Sequence, residues 1–146
     1  MNKWAMVLAA CALMAAGCDE KLSDVAGPTP NLTATFSSIQ RDIFNAPDAT
    51  GRPACTGCHN AQLARFNGNL NLSGTAAFSQ LVSAASSGKA GATRVIPGNP
   101  DASYLIHKLE GRSGIVGARM PLNGPFLSAG QIAIIRRWIE LGAENN

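Results

Sequence analysis

Apolar residues repeat with helical spacing near the start of the folded part of the chain. They fall on one helical face at Leu32, Phe36, Ile39, Ile43 and Phe44. Asn31 precedes them and is a residue type that commonly caps the first turn of a helix. The sequence therefore predicts a first helix from Asn31 to Phe44, which ends before Pro47.

Three later stretches have the same helical spacing. A short helix is predicted from Thr75 to Ala85, and a second is predicted to open at Asn99 and to stop at Gly111. The last begins with the capping box from Ser128 to Gln131, and its apolar face holds Ile132, Ile135, Trp138 and Ile139. Because these elements are all helices, the pattern favours an all-α fold.

A long segment without periodicity separates the last two predicted helices. It runs from Gly111 to Leu127, and it contains four glycines, Pro121, Pro125 and Met120. Such long irregular connections are uncommon in compact domains unless they have a function. We therefore expect this loop to contribute to a site.

The first 30 residues differ in character from the rest. Residues 1–17 have a positive Lys3, an apolar run and a small-residue end, which is typical of a signal peptide and too short for a bilayer span. Residues 18–30 have the small, polar, proline-containing composition of a linker. The chain thus divides into a signal peptide, a linker and one domain over 31–146.

The end of the signal peptide resembles the lipobox of bacterial lipoproteins. Cleavage before Cys18 would make it the first mature residue and the site of lipid attachment. The residues before Cys11 match the lipobox slightly better, because Leu8 lies three positions before it where Ala15 precedes Cys18. Cleavage before Cys11 would, however, leave too short an apolar stretch. Plain secretion without a lipid is the simpler alternative.

Removal of this leader changes the inventory of reactive groups. Of the four methionines only Met120 remains, together with three cysteines and both histidines. The formal net charge of +3 also loses the contribution of Lys3. So small a net positive charge argues against a nucleic-acid partner.

The segment Cys55-Thr56-Gly57-Cys58-His59 carries the strongest chemical signal. C-x-x-C-H is the spacing at which two thiols bond the vinyl groups of one haem while the next residue ligates its iron. A zinc site would lack enough well-placed ligands, since only His107 remains beyond these residues. A thioredoxin-like pair would need flanking strands. We therefore predict one covalent haem c.

Met120 is the expected second axial ligand, with His59 as the first. It is the only methionine of the mature chain, it lies in the long loop, and Pro121 restricts its backbone. Methionine also serves as a filler in protein cores, and His107 is the rival ligand. His107 lies in a helix beside Lys108, where a solvated position is expected.

Other residues are candidates to contact the haem, either by pairing with its propionates or by lining its site. Arg94 and Arg119 are candidates to pair with haem propionates, although either could be an ordinary exposed charge. Phe36, Phe44 and Trp138 could line a haem, or they could fill a crossing of the first and last helices.

The chain resembles the small single-haem c-type cytochromes of the class I fold. The residues that carry the likeness over 31–146 are Cys55 to His59, Val95 to Leu105, Arg119-Met120-Pro121, Trp138-Ile139 and Gly142-Ala143. The resemblance implies four to five helices around one haem, with the N- and C-terminal helices crossing and Met120 as sixth ligand. No proline follows His59 before Pro97, so the acceptor for the second ring nitrogen stays unassigned.

The resemblance implies an electron carrier rather than an enzyme. Its expected partners are redox proteins or a membrane electron-transfer complex, and its expected place is the periplasm, tethered to a bacterial membrane through Cys18. Two alternatives remain open. One is a haem subunit of a redox enzyme complex, and the other is a peroxidase or gas-sensing haem protein, which would need an open sixth position.

Overall fold

The computed structural model describes residues 31–146, and all regular secondary structure within them is helical. The predicted signal peptide, the predicted linker and the predicted lipidation site Cys18 lie outside the described residues. The four α-helices are α1 Phe36–Ile39, α2 Ala76–Leu81, α3 Tyr104–Glu110 and α4 Ala129–Glu140. A π-helical turn, Gln40–Phe44, continues α1, and two 3-10 turns cover Cys55–Gly57 and Ala64–Phe66. None of the helices in 31–146 is both long and apolar enough to cross a bilayer.

The first helix begins one turn later than predicted. Its N-cap is Thr35, which accepts a hydrogen bond from the Ser38 amide, so the prediction of a start at Asn31 is wrong. Asn146 satisfies two further free amides of this turn: its side chain accepts from Phe36 and its carbonyl from Ser37. The helix start therefore depends on a contact between the two ends of the domain.

Helix α2 is shorter than predicted. It ends at Leu81 because Val82 turns extended and forms an isolated bridge with Val95. The Val95 amide donates to the Leu81 carbonyl, and its own carbonyl accepts from the Ser83 amide. Backbone pairing with a later segment thus replaces the last predicted turn.

Helix α3 begins at Tyr104 rather than directly after Asn99. Asn99 caps only an isolated turn, in which its side chain accepts from the Ala102 amide. Ser103 separates this turn from the helix. Its hydroxyl donates to the Asn99 carbonyl and accepts from the Ile96 amide. The predicted stop is confirmed, since Gly111 has a φ of 72°, the left-handed conformation that glycine adopts at little cost.

Helix α4 matches its prediction closely. Ser128 and Gln131 form both hydrogen bonds of the capping box, and Ile135, Trp138 and Ile139 are buried. The Trp138 ring lies 5.6 Å from the ring of Phe36. The first and last helices therefore meet in the core, and these two aromatic side chains fill that contact.

A buried ion pair lies between the π-helical turn that follows α1 and the start of α4. Arg52 is fully buried, and its Nε lies 3.0 Å from Asp48 Oδ2. The guanidinium also donates to the carbonyls of Ile43, Ala46 and Pro53, while Gln131 donates to Asp48. This cluster fixes the loop that leads into Cys55.

We expect Asp48→Asn to weaken the fold and remove part of its acid sensitivity. Burial alone would raise the pKa of Asp48, but hydrogen bonds from Thr50, Gln131 and Arg52 lower it to about 2. The stabilisation is therefore present above about pH 4 and is lost as the pH falls toward 2. Loss of the carboxylate leaves Arg52 buried without its counter-charge, at a cost of about 3 kcal/mol.

Denaturant unfolding between pH 2 and pH 7 measures both effects. The difference between wild type and Asp48→Asn should shrink by about 2 kcal/mol toward pH 2. Asp42→Asn is the matched control, because Asp42 pairs with the exposed Arg41 and should cost less than about 1 kcal/mol. Equal losses for the two variants would contradict the special role of the buried pair.

Candidate functional site

The turn that contains both cysteines and His59 is compact. The amides of Cys58 and His59 both donate to the Cys55 carbonyl, at 3.2 and 2.8 Å. The Thr56 hydroxyl donates to the carbonyl of Phe44, and the Asn67 side chain donates to that of Cys58. The turn is therefore held between the end of the π-helical turn Gln40–Phe44 and the segment that follows the motif.

This turn borders a cavity of about 300 Å³. Three of the predicted site residues other than His59 also line it, namely Cys55, Arg94 and Met120. The remaining walls are mostly apolar and include Ile43, Phe44, Phe66, Leu70, Leu72, Leu81, Tyr104, Leu105, Leu109, Val116 and Leu127. The cavity thus brings residues from opposite parts of the chain to one apolar space.

The two cysteines differ in exposure, and neither forms a disulfide within residues 31–146. Cys55 lies against the cavity, where burial raises the pKa of its thiol and the charge of Arg52 opposes part of that shift. Cys58 is exposed and does not line the cavity. The two thiols of the motif are therefore free, with one facing the cavity and one facing solvent.

His59 is half-buried, and its Nδ1 is fully covered without a hydrogen-bond partner. Burial is the main cause that lowers its pKa, and the charges of Arg94 and Lys108 act in the same direction. Backbone groups of Leu70 and Asn67 favour the protonated ring, although neither bonds Nδ1 in this geometry. The ring is thus held neutral at pH 7, the form that coordinates metal ions.

Met120 reaches the cavity from the long irregular loop between α3 and α4. Its amide donates to the carbonyl of Lys108, at 2.9 Å. The Lys108 ammonium donates in turn to the carbonyls of Val116 and Ala118. One lysine on α3 therefore binds the loop at three points and fixes the segment that carries Met120, and we call this arrangement the Lys108 clamp.

Arg94 lines the cavity, but carbonyl groups occupy most of its guanidinium. Nη2 donates to Gly68 and Asn69 at 2.9 and 3.0 Å, and Nη1 donates to Gln80 at 2.7 Å. Its side chain therefore holds the segment after the motif against the end of α2. Its Nε makes none of these hydrogen bonds.

Arg119 and His107 do not line the cavity. Arg119 donates to the Leu109 carbonyl, and its guanidinium lies 4.0 Å from the centre of the Phe126 ring. His107 is half-buried rather than fully solvated, and its Nε2 lies 2.6 Å from the Asp101 carbonyl. Neither side chain is in a position to touch a group inside the cavity without moving.

Two residues of the site were missed by sequence reasoning. Asn67 belongs to no motif in the sequence, and Lys108 stands out there only as the neighbour of His107. Their function comes from hydrogen bonds to carbonyl groups, which leave no pattern in the sequence. A weak signal for Lys108 was its position on the helix that precedes the loop of Met120.

Comparison with protein-family models, curated proteins and solved structures finds no match to the chain. The function must therefore be inferred from the residues of the cavity.

Proposed function

We infer that this protein is a one-electron carrier of the c-type cytochrome kind. One haem c would be attached to Cys55 and Cys58, with His59 and Met120 as axial ligands. The helical domain would then be a cytochrome c fold in which the first and last helices meet through Phe36 and Trp138.

The observation that carries this proposal is the common cavity of His59 and Met120. These residues are far apart in the sequence, and one imidazole with one thioether is the axial pair of many electron-carrying cytochromes. Cys55 lines the same cavity, so a group ligated there would lie beside a thiol able to bond it.

The residues present also fit the size and polarity of such a cofactor. Apolar walls keep water away, and the only charged lining residues, Arg94 and Lys108, are cations suited to a group with carboxylates. The cavity volume lies at the lower end of the roughly 300–1,000 Å³ usual for cofactor sites. Phe66 lines the cavity and is also exposed, so the cavity reaches the protein surface at this point. One edge of a bound haem could therefore reach solvent there.

Each residue has a distinct task in this mechanism. Cys55 and Cys58 would hold the haem through thioether bonds, each formed by addition of S–H across a vinyl group, so that S–C and C–H bonds replace the S–H bond and the C=C π bond without net oxidation. The bound iron would supply the Fe(II)/Fe(III) couple. His59 and Met120 would coordinate the iron, so its coordination would change little between oxidation states, and the neutral thioether would favour the reduced form.

The same proposal places the domain at a membrane surface. Cys18 would carry a lipid and the linker would act as a tether, which suits a periplasmic carrier that meets redox proteins or a membrane complex. A permanent place in a redox enzyme complex would keep the same chemistry and would be detected by copurification.

Optical and electron paramagnetic resonance spectra of the mature protein in both oxidation states test the proposal. We expect a low-spin oxidised form with a weak sulfur-to-iron charge-transfer band, and slow, weak binding of carbon monoxide by the reduced form. A high-spin protein that binds carbon monoxide readily would instead indicate a peroxidase or gas sensor. A protein without bound haem would refute the proposal altogether.

A further inference from the structure

The carbonyl groups at the end of α3 bind the loop that carries Met120. The last carbonyls of a helix have no partner within the helix, so they need donors from elsewhere. The Lys108 carbonyl accepts from the Met120 amide at 2.9 Å, and the Leu109 carbonyl accepts from Arg119 Nε at 2.7 Å. The end of α3 therefore holds two successive residues of the loop, Arg119 by its side chain and Met120 by its backbone.

The Arg119 side chain is also held by an aromatic ring. Its guanidinium lies 4.0 Å from the centre of the Phe126 ring, which is within the range of a cation–π contact. None of the ion pairs within residues 31–146 includes Arg119, and the side chain is half-buried. Its contacts are thus a helix carbonyl and a ring of its own loop.

Gly111 leaves the space that the Arg119 side chain crosses. A Cβ atom at Gly111 would lie 2.8 Å from Arg119 Cδ and 3.2 Å from its Cγ. Both distances are shorter than the roughly 3.5–4.0 Å at which carbon atoms attract each other best. A residue with a side chain at this position would therefore push Arg119 away from the end of α3.

We propose that Arg119 is a positioning residue for Met120. Its side chain fits between Gly111, the Leu109 carbonyl and the Phe126 ring. These contacts fix the backbone directly before Met120, whose side chain lines the cavity. The proposal rests on the proposed function, in which the Met120 thioether is an axial ligand. It gives Arg119 a different role from that of the propionate partner expected from the sequence.

Two substitutions disturb these contacts in different ways. Arg119→Leu keeps an apolar stem but removes the hydrogen-bond donor and the cation. Gly111→Ala keeps Arg119 but places a methyl group in the space that its side chain occupies. The matched control is Gly114→Ala. Gly114 lies in the same loop with a similar φ of 79°, but a Cβ there would meet only the Lys89 ammonium, at 3.9 Å.

The rate at which imidazole binds the oxidised mature protein measures how readily Met120 leaves its position, because imidazole needs the axial place proposed for Met120. We expect this rate to rise on the order of tenfold in Arg119→Leu and in Gly111→Ala, which is the effect of losing one hydrogen bond from a charged group. The sulfur-to-iron charge-transfer band should weaken in both variants. Gly114→Ala should keep the rate and the band of the wild type.

Arg119→Lys is the conservative variant, because lysine can donate to the same carbonyl and lie over the same ring. It should recover most of the charge-transfer band. A wild-type rate and band in Arg119→Leu would overturn the proposal, and so would equal effects of Gly111→Ala and Gly114→Ala. The two glycine variants decide the matter if Arg119→Leu does not fold.

Hydrogen exchange of the Met120 amide tests the same role without use of a haem. This amide donates to a carbonyl at the end of α3, so it exchanges faster when the loop leaves the helix. We expect exchange on the order of tenfold faster in Arg119→Leu and Gly111→Ala. The amide of the buried Val95 should exchange as in the wild type, which shows that the fold is intact.

This measurement separates the two proposals. A mature protein without haem would refute the proposed function, whereas faster exchange of the Met120 amide in both variants would still support the role of Arg119. Unchanged exchange of that amide in both variants would overturn the role of Arg119, whether or not haem is bound.

Discussion

Removing both thiols of the motif is expected to abolish covalent attachment of haem completely. In Cys55→Ala/Cys58→Ala no thiol remains within residues 31–146 to bond a vinyl group, so mass spectrometry of the denatured protein should show the polypeptide alone. The wild type should retain the mass of one haem after extraction with acid acetone. This is the largest effect that we expect of any substitution.

The single variants should differ in degree. Cys55 faces the cavity and Cys58 faces solvent, so Cys55→Ala removes the thiol that borders the proposed haem site and should lower the haem content more. His59→Ala should keep the haem covalently bound but alter its spectrum. Thr56→Ser is the control within the turn, since serine retains a hydroxyl that can donate to the Phe44 carbonyl. Covalent haem in the double variant would contradict the attachment sites.

The second large effect is expected at Met120. Met120→Ala should open one axial position, admit carbon monoxide or imidazole, and lower the reduction potential by on the order of a hundred millivolts, within the roughly 0.8 V that axial ligands control. Met120→His should remain six-coordinate with a lowered potential. Spectroelectrochemistry with ligand titration measures all three changes.

Two further variants make this result specific. Leu122→Ala changes an exposed residue of the same loop that does not line the cavity, and it should leave spectrum and potential as in the wild type. His107→Ala should do the same, because His107 bonds the Asp101 carbonyl outside the cavity. If His107→Ala destroyed the low-spin state and Met120→Ala preserved it, the axial pair would be two histidines.

The parts of the fold that depend on residues close together in the sequence were predictable. The capping box of Ser128 and Gln131 and the left-handed Gly111 are local signals, and α4 begins and α3 ends where expected. The start of α1 was not predictable, because Asn146 binds its free amides from the other end of the domain. The end of α2 was missed for the same reason, since Val95 lies outside any local window.

The candidate site divides in a similar way. The spacing of the motif and the single mature methionine single out His59 and Met120, which do line one cavity. The sequence did not show that Arg52 would be buried, nor that Arg94 would bind carbonyl groups instead of lying free. Arginine and lysine residues that bind backbone carbonyls have no fixed partner type, and only the folded chain determines which carbonyls lie within reach.

The Lys108 clamp bears on how fast electrons could move. Because the ammonium holds the Val116 and Ala118 carbonyls, and the Lys108 carbonyl holds the Met120 amide, hydrogen bonds within the protein fix the shape of the loop. A ligand fixed by its own protein frame cannot relax far when the metal gains or loses charge. The clamp would therefore keep the reorganisation energy of each electron exchange small, and it would do so by rigidity rather than by any change in driving force.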